Sequence, residues 1–224
     1  MNTAASYLVF SDVDETLIRT KSMFDFLDFY LRDQLDPQFA ATAATMRNAL
    51  AALAAQGAPR EVGNRLYYTV WAGQHAADVA ACAERWFGEH RGDPDFFITS
   101  TLAALVAHRA AGADVILISG SFAAPLAPIA AEIGADHLSC AHPQIEAGRY
   151  TGHLIGQPVI GEAKRTAVRA LLAAYPHINA ADCYGYGDHT SDLPMLEEVG
   201  HPVVVGHDRT LLDLLPHAQT LAAS

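Results

Sequence analysis

Cysteine is scarce in this sequence, and its distribution excludes two of the ways in which small proteins are held together. The chain of 224 residues contains three cysteines, Cys82, Cys140 and Cys183, which lie far apart and form no CxxC pair. An odd number of isolated cysteines indicates neither a disulfide framework nor a zinc site. We therefore expect three free thiols, buried or half-buried in the fold.

Basic residues are also few. Lysine and arginine together number 14 against 25 aspartates and glutamates, for a formal net charge of −11, and no basic cluster interrupts this acidic surplus. Binding to a nucleic-acid backbone needs a basic surface, so we expect no nucleic-acid partner. A small anionic substrate remains compatible with this charge, provided that a few lysines and a metal ion reverse the field locally.

Long apolar runs are missing as well. No stretch approaches the roughly 20 apolar residues of a membrane helix, and residues 1–10 lack the basic start of a secretion signal. We therefore expect no membrane association and a cytoplasmic location. Hydrophobic residues nevertheless make up 51% of the chain, which suits one medium-sized domain or a core with a small inserted domain.

Short apolar runs alternate with helical patterns along much of the chain. These runs predict buried strands at residues 7–10, 114–118, 137–140, 183–186 and, as the last strand, 203–205. One of the intervening helices is predicted to open at Ser119–Ser121, directly after the second strand, and another covers residues 162–174. The alternation predicts an α/β fold with a Rossmann-like, doubly wound parallel sheet as its core.

Residues 22–90 follow a different pattern, in which apolar side chains recur at helical spacing without intervening strand signals. The pattern predicts about four helices. We therefore expect an inserted all-helical domain over residues 21–91, similar to a four-helix bundle. The α/β core is then formed by residues 1–20 and 92–224.

Polar residues follow three of the predicted strands at the points where those strands end. They are Asp12, Asp14 and Thr16 after the first strand, Ser119 and Gly120 after the second, and Asp188 and Asp192 after the strand at 183–186. Lys164 stands separately at the start of a predicted helix. Ligands bind beyond the carboxyl ends of parallel strands, so we expect these side chains to converge on one cleft.

This set of residues suits phosphoryl transfer, in which catalysis is mostly positioning and charge neutralisation. Asp12 is the candidate nucleophile, and Asp14 is the candidate general acid and base. Three acids facing a phosphate repel it unless a hard dication intervenes, which implies Mg²⁺. The candidate ligands of that ion are Asp12, Asp14 through its backbone carbonyl, Asp188 and, in a supporting role, Asp192. The candidate phosphate-binding residues are Thr16, Ser119, the N–H of Gly120 at a helix start, and Lys164.

Taken in order, these residues resemble the motifs of the haloacid dehalogenase superfamily of aspartate-nucleophile phosphatases. Asp12-Val13-Asp14-Glu15-Thr16 is similar to the DxDxT motif of that family, and Gly187 to Asp192 is similar to its GDxxxD motif. Ser119 and Lys164 lie where the family has its hydroxyl and lysine motifs. The helical insert resembles the cap of the subgroup that includes phosphoserine phosphatases. The resemblance implies a Mg²⁺-dependent phosphatase that hydrolyses a small phosphomonoester through an aspartyl-phosphate.

One stretch departs from the phosphoserine phosphatase pattern. In those enzymes an acidic residue shortly after DxDxT receives the ammonium group of the substrate, whereas the corresponding stretch of this chain ends in Lys21. A cation at that place would repel an amine. We therefore hypothesise that Lys21, with Arg60 or Arg65 from the insert, favours a substrate with a second anionic or hydroxyl-rich group.

The same residues leave other functions open. The phosphoryl group could pass to an acceptor alcohol instead of water, and a catalytically silent protein could keep the fold to bind a partner. Dehalogenation also uses an aspartate nucleophile, but the additional acids Asp14 and Asp188 argue against it. Phosphonate cleavage would need a lysine that forms a Schiff base, for which Lys21 is the candidate. The sequence leaves the substrate and the oligomeric state open.

Overall fold

A single sheet of seven strands lies at the centre of the fold, in a computed structural model that describes residues 5–223. The strands are β1 (Leu8–Ser11), β2 (Asp114–Phe122), β3 (His137–Glu146), β4 (Arg149–Ile155), β5 (Tyr184–Gly187), β6 (His201–Val205) and β7 (Gln219–Leu221). Their order across the sheet is β4-β3-β2-β1-β5-β6-β7. Neighbouring strands are parallel except β3 and β4, which form an antiparallel hairpin.

Helices cover both faces of this sheet. They are α1 (Ser22–Gln34), α2 (Pro37–Ala55), α3 (Arg60–Tyr68), α4 (Ala76–His90), α5 (Thr99–Ala110), α6 (Ala123–Ile133), α7 (Glu162–Ala174), α8 (Leu193–Leu196) and α9 (Arg209–Leu214). Side chains of β1 alternate between the two faces, so that Val9 joins one apolar cluster while Leu8 and Phe10 join the other. A strand buried on both faces is apolar throughout, which explains the continuous run of hydrophobic residues in β1. The predicted α/β fold with a doubly wound, mainly parallel sheet is confirmed.

An aromatic cluster joins the four helices α1–α4 to the sheet. Phe26 stacks on Trp71 with 5.5 Å between ring centroids, and Tyr30 and Phe39 approach the same indole at 5.0 and 5.8 Å. Phe122, the last residue of β2, lies 5.5 Å from Trp71 on the sheet side. The helical insert and the sheet therefore share one continuous apolar core.

The chain enters and leaves the helical insert through two adjacent segments, residues 17–19 and 96–98. Two backbone hydrogen bonds of 2.9 Å join these segments in antiparallel orientation. The two crossing points therefore lie side by side, near both ends of the predicted insert. The division into an insert at 21–91 and a core at 1–20 and 92–224 stays a prediction, and residues 1–4 and 224 lie outside the described part of the chain.

The structure corrects the prediction for the end of the second strand. The sequence predicted that a helix opens at Ser119–Ser121, but β2 continues to Phe122 and α6 begins at Ala123. Pairing with β3 shifts register between Ser119 and Phe122, so the backbone stays extended through an irregular stretch. Burial of Phe122 in the aromatic cluster explains why the strand extends that far.

The last strand was also predicted wrongly. The strand at residues 203–205 is observed within β6, but α9 and β7 follow it, and β7 forms the edge of the sheet. The three residues of β7 are exposed or half-buried, so they lack the apolar run that indicates a strand. Within residues 5–223, none of the helices combines the length and the apolar character needed to cross a bilayer.

Candidate active site

Most of the predicted motif residues line one cavity beyond the carboxyl ends of β1, β2 and β5, and Thr16 and Asp192 contact residues that line it. The cavity has a volume of about 370 Å³ and lies between the sheet and helices α1–α3. From the sheet side it is lined by Asp12, Asp14, Ser119, Gly120, Lys164 and Asp188. Parallel strands bring these residues together although they are up to 176 positions apart in the chain (188 − 12).

Asp12 and Lys164 form a buried ion pair at the centre of the cavity. The Lys164 Nζ lies 2.8 Å from Asp12 Oδ1 and 2.6 Å from Asp192 Oδ1. Burial raises the pKa of Asp12 well above its usual range, the Asp192 carboxylate adds to this effect, and Lys164 opposes it. Burial also lowers the pKa of Lys164, but the Asp12 and Asp192 carboxylates outweigh it and raise the net value. The ammonium group therefore stays charged between two carboxylates.

Asp14 is fixed by the start of helix α1. Its Oδ1 accepts a hydrogen bond of 3.0 Å from the backbone N–H of Ser22, the first residue of that helix. Burial raises the pKa of Asp14 to about 6, although the bonds from Ser22 act in the opposite direction. A carboxyl with this pKa exchanges its proton near neutral pH, which suits a general acid and base.

Asp188 and Asp192 have different surroundings within the second acidic motif. Asp188 Oδ1 accepts a hydrogen bond of 2.9 Å from Thr16 Oγ1, and burial, followed by the Asp192 charge, raises the pKa of Asp188 to about 6. Asp192 is fully buried, and its Oδ2 accepts from the backbone N–H groups of Asp188 and His189 at 3.2 Å each. Asp192 thus supports the loop that presents Asp188.

Thr16 differs from its predicted place among the phosphate-binding residues. Its side chain is fully buried and its hydroxyl donates to Asp188. The geometry therefore gives Thr16 the task of orienting a carboxylate. The sequence could not show which neighbour the Thr16 hydroxyl contacts.

Ser119 and Gly120 lie on the extended end of β2. Ser119 Oγ accepts a hydrogen bond of 3.1 Å from the Ser121 N–H, which leaves the hydroxyl proton available for a ligand. The sequence predicted that the Gly120 N–H lies at the start of a helix. It lies instead at the end of strand β2. A Cβ at Gly120 would lie 2.9 Å from Ile160 Cγ1, so glycine permits the close approach of that side chain.

Two residues of the insert hydrogen-bond to this end of β2, and neither was predicted from the sequence. Asn64 Nδ2 and Tyr68 Oη, both on α3, donate to the carbonyl oxygen of Gly120 at 2.9 and 2.8 Å. The peptide unit that carries this carbonyl also carries the Ser121 N–H, which points in the opposite direction and holds Ser119. No sequence pattern signalled the pair, because both positions are consistent with ordinary helix packing.

The three basic residues proposed for specificity do not form one anion site. Lys21 Nζ pairs with Glu15 at 3.2 Å at the rim of the cavity. Arg60 also lines the cavity, where Nη1 hydrogen-bonds His189 Nδ1 and Ser191 Oγ. The guanidinium of Arg65 points elsewhere and donates to the Gly156 carbonyl and the Gln157 side chain at 2.8 Å each. Of the two arginines named as alternatives, Arg60 lines the cavity with Lys21 and Arg65 does not, and the role of Lys21 and Arg60 in specificity stays a prediction.

The acidic cluster suits a hard divalent cation. Among the described residues, carboxylate oxygens of Asp12, Asp188 and Asp192 lie within 4.8 Å of one another. Oxygen ligands of this kind are those that Mg²⁺ prefers. Burial and mutual repulsion raise the pKa values of Asp12 and Asp188, so full ionisation of the three carboxyls needs positive charge beyond that of Lys164. The donor set thus fits a dication.

Comparison with known proteins agrees with this geometry. Residues 9–197 match the family model described as haloacid dehalogenase-like hydrolase. A probable phosphatase of Mycobacterium tuberculosis is 41% identical over 109 residues, which are 48% of this chain and 37% of that protein. The chain thus matches well under half the length of this curated relative.

Solved structures show the same fold over nearly the whole chain. A Bordetella pertussis protein of unknown function superposes with a TM-score of 0.83 and 25% identity, covering 99% of this chain and 100% of that one. A phosphoserine phosphatase, solved as an analogue of its phospho-aspartyl intermediate, gives a TM-score of 0.69 at 17% identity, covering 98% and 94%. The family match spans most of the chain and includes all four groups of motif residues. This chain belongs to the haloacid dehalogenase-like hydrolase family.

Proposed function

We propose that this protein is a Mg²⁺-dependent phosphatase that hydrolyses a small phosphomonoester through an aspartyl-phosphate. The observation that carries the proposal is the arrangement around Asp12. Its carboxylate is buried against Lys164, in a cavity that Asp14, Ser119 and Asp188 also line. A candidate nucleophile, a candidate proton donor and candidate phosphate-binding groups therefore share one cavity.

In the first half-reaction, a carboxylate oxygen of Asp12 attacks phosphorus and the bond to the alcohol oxygen breaks. Asp14, whose pKa is raised to about 6 so that a fraction of it is protonated near neutral pH, gives that proton to the departing oxygen. Lys164 and the Ser119 hydroxyl stabilise the negative phosphoryl oxygens. The alcohol leaves and the phosphoryl group remains on Asp12.

In the second half-reaction, water attacks the phosphorus of the aspartyl-phosphate. Asp14, now a carboxylate, takes a proton from that water, and the bond from phosphorus to Asp12 breaks to release inorganic phosphate. Asp12 and Asp188 would hold Mg²⁺ with the Asp14 carbonyl, and Asp192 would support them. Bound Mg²⁺ supplies positive charge that offsets the phosphoryl oxygens and the surrounding carboxylates.

The names of similar proteins support the class of reaction. The Mycobacterium tuberculosis relative is named as a phosphatase, and the structural neighbour with bound intermediate analogue is a phosphoserine phosphatase. A small phosphorylated molecule is therefore the proposed substrate. The cavity volume of about 370 Å³ is of the size that holds such a ligand.

A phosphate-release assay tests the proposal. Purified protein is incubated with a panel of metabolite phosphates and with p-nitrophenyl phosphate, with Mg²⁺ or with EDTA. We expect turnover that needs Mg²⁺ and that falls by several orders of magnitude in Asp12→Asn, because an amide is a far poorer nucleophile. The exposed Asp213→Asn is the matched control and keeps full activity.

Two results would contradict the proposal. Equal activity of Asp12→Asn and wild type would show that Asp12 is not the nucleophile. Absence of turnover for every ester would favour a binding protein. Addition of an acceptor alcohol distinguishes hydrolysis from transfer, because transfer produces a new phosphate ester whereas hydrolysis produces inorganic phosphate only.

A further inference from the structure

The cavity has two chemically different ends. The sheet side carries the carboxylates and Lys164, whereas the opposite wall is built from apolar side chains of the helical insert. These side chains are Met23 and Phe24 of α1, Leu50, Leu53 and Ala54 of α2, and Pro59, with Ile160 beside them. The phosphate of a substrate belongs at the charged end, so its alcohol portion faces this apolar wall.

Helix α2 supplies the centre of the apolar wall through a continuous stripe. Phe39, Ala43 and Met46 are buried in the core, and Leu50 and Leu53 follow at the same spacing of three and four residues. Such spacing places all five on one face of the helix. The stripe therefore begins in the core and ends at the cavity, where Leu50 and Leu53 are only half-buried.

Most polar groups near this wall already have partners within the protein. Tyr67 Oη donates to the Met23 carbonyl at 2.6 Å, and Asn64 Nδ2 donates to Gly120. At the rim, Lys21 pairs with Glu15, as Arg60 does with His189 and Ser191. Asn64 Oδ1 has no partner, but it is buried. Residues 48–58, which include the cavity-facing part of α2, contain no charged residue.

Charged groups on a substrate would therefore be costly at this end of the cavity. An ammonium or carboxylate that lies against Leu50 and Leu53 loses hydration and meets no charged residue within positions 48–58. An apolar group instead gains the free energy of leaving water. We therefore expect this wall to disfavour the charged amino-acid portion of phosphoserine.

We propose that the alcohol portion of the substrate is uncharged and mainly apolar, and that it packs against Leu50, Leu53 and Phe24. The inference rests on the phosphatase activity proposed above and names its substrate class. It differs from the expectation of a second anionic group, because Lys21 already pairs with Glu15 and Arg65 donates to Gly156 and Gln157 outside the cavity.

A series of alkyl phosphates tests this inference. Ethyl, butyl and hexyl phosphate share the same reacting centre, so differences in kcat/KM report contacts of the alkyl chain. We expect kcat/KM to rise about two- to fourfold per methylene, where fourfold corresponds to ~0.8 kcal/mol for each buried CH₂. Propyl phosphate and phosphoethanolamine form a matched pair of equal size, and we expect propyl phosphate to be preferred about tenfold or more.

Substitutions at Leu53 connect this preference to the apolar wall. Leu53→Asn lowers the hexyl-to-ethyl ratio of kcat/KM, because it places an amide where the chain packs. Leu53→Phe keeps the wall apolar but fills part of the cavity. We therefore expect it to lower the length of the longest alkyl chain that the protein accepts. Leu35→Asn is the control, since Leu35 is 81% exposed on the end of the α1 region, and its ratio stays that of wild type.

The outcomes separate this inference from the proposed function. A flat or falling series, or a preference for phosphoethanolamine or phosphoserine, overturns the apolar substrate class while Asp12-dependent turnover still supports the phosphatase. If no ester is hydrolysed, the phosphatase proposal fails. In that case, calorimetry with Mg²⁺ measures the binding of ethyl and hexyl phosphate to Asp12→Asn. Tighter binding of hexyl phosphate supports the apolar substrate class, and equal or weaker binding overturns it.

Discussion

Lys164 illustrates how much of the site depends on single residues. Its ammonium group is the positive partner of two buried carboxylates, Asp12 and Asp192, at 2.8 and 2.6 Å. Removal of one partner from a buried ion pair leaves the other charge without compensation, which costs more than the pair contributes. The same residue therefore matters to stability and to the proposed chemistry.

We expect Lys164→Met to lower the free energy of unfolding by about 3 kcal/mol or more, measured by urea denaturation in EDTA. Lys21→Met is the matched control. Its pair with Glu15 is about half exposed, so the change costs less than about 1 kcal/mol. Equal losses in the two variants would show that the buried cluster does not need the Lys164 charge.

His108 offers a test of pH dependence away from the cavity. Its ring lies between two hydroxyls, with Nδ1 3.0 Å from Tyr7 Oη and Nε2 2.8 Å from Tyr186 Oη, and the Tyr184 ring packs against it. Burial lowers the pKa of His108 in the folded state. The unfolded chain therefore binds a proton more readily than the folded chain does.

The sign of this linkage gives the direction of the effect. The stabilisation that His108 contributes is present above its unfolded pKa and is lost as pH falls through the lower folded pKa. We expect wild type to lose more unfolding free energy than His108→Gln between about pH 7.5 and pH 5. Urea denaturation at both pH values measures this difference, and parallel losses would show that His108 does not titrate on unfolding.

Helix α3 acts on the site at the scale of one element. Through Asn64 and Tyr68 it holds the Gly120 carbonyl, and through the adjoining peptide it orients Ser119. Tyr68 is thus a positioning residue, since it contacts the backbone next to Ser119 and not the proposed reacting atoms.

We expect Tyr68→Phe to lower kcat/KM about three- to tenfold, the equivalent of one hydrogen bond worth about 0.5–1.5 kcal/mol. If Tyr68 acts through Ser119, the loss is much smaller in a Ser119→Ala background, which a double-mutant cycle detects. Tyr30→Phe is the control, because Tyr30 Oη donates to Gln74 and not to β2. Additive losses of Tyr68→Phe and Ser119→Ala would contradict the positioning role.

The whole molecule has one continuous core on the insert side of the sheet, and the two tryptophans make this testable. Trp71 and Trp86 both lie in the helical insert, so their fluorescence reports that part, whereas far-ultraviolet circular dichroism reports all helices and strands. Because Phe122 links the insert to β2, we expect both signals to change at the same urea concentration.

Truncation of that link has a predicted cost. Phe122→Ala removes a buried aromatic ring that contacts Phe26, Tyr68 and Trp71, and we expect a loss of about 3–5 kcal/mol in unfolding free energy. We also expect the fluorescence transition to move below the dichroism transition in this variant. A fluorescence midpoint that already precedes the dichroism midpoint in wild type would show that the insert unfolds separately.

The part of the site that lies at strand ends could be predicted from the sequence, because a short apolar run followed by acids indicates both the strand and its polar end. Asp12, Asp14, Lys164 and Asp188 converge as that reasoning expected. Asn64 and Tyr68 could not be predicted, since their role depends on how α3 packs against β2. The hydrogen bonds of Arg65 likewise depend on tertiary packing, which places residues 156–157 beside its guanidinium.

The predicted strand boundaries were wrong where tertiary packing overrides the local sequence pattern. Gly120 was expected at a helix start, yet burial of Phe122 keeps β2 extended past it. The edge strand β7 has no apolar signature, because its side chains face water. The cytoplasmic location, the lack of a nucleic-acid partner and the limits of the insert stay predictions.

The hydrogen bond between Asp14 and Ser22 links the two ends of the cavity. The helix that begins at Ser22 also presents Met23 and Phe24 to the cavity, so the side chain of Asp14 and part of the apolar wall are anchored to the same turn of α1. A substitution that displaces the first turn of this helix should therefore disturb the acidic end and the apolar end of the cavity together.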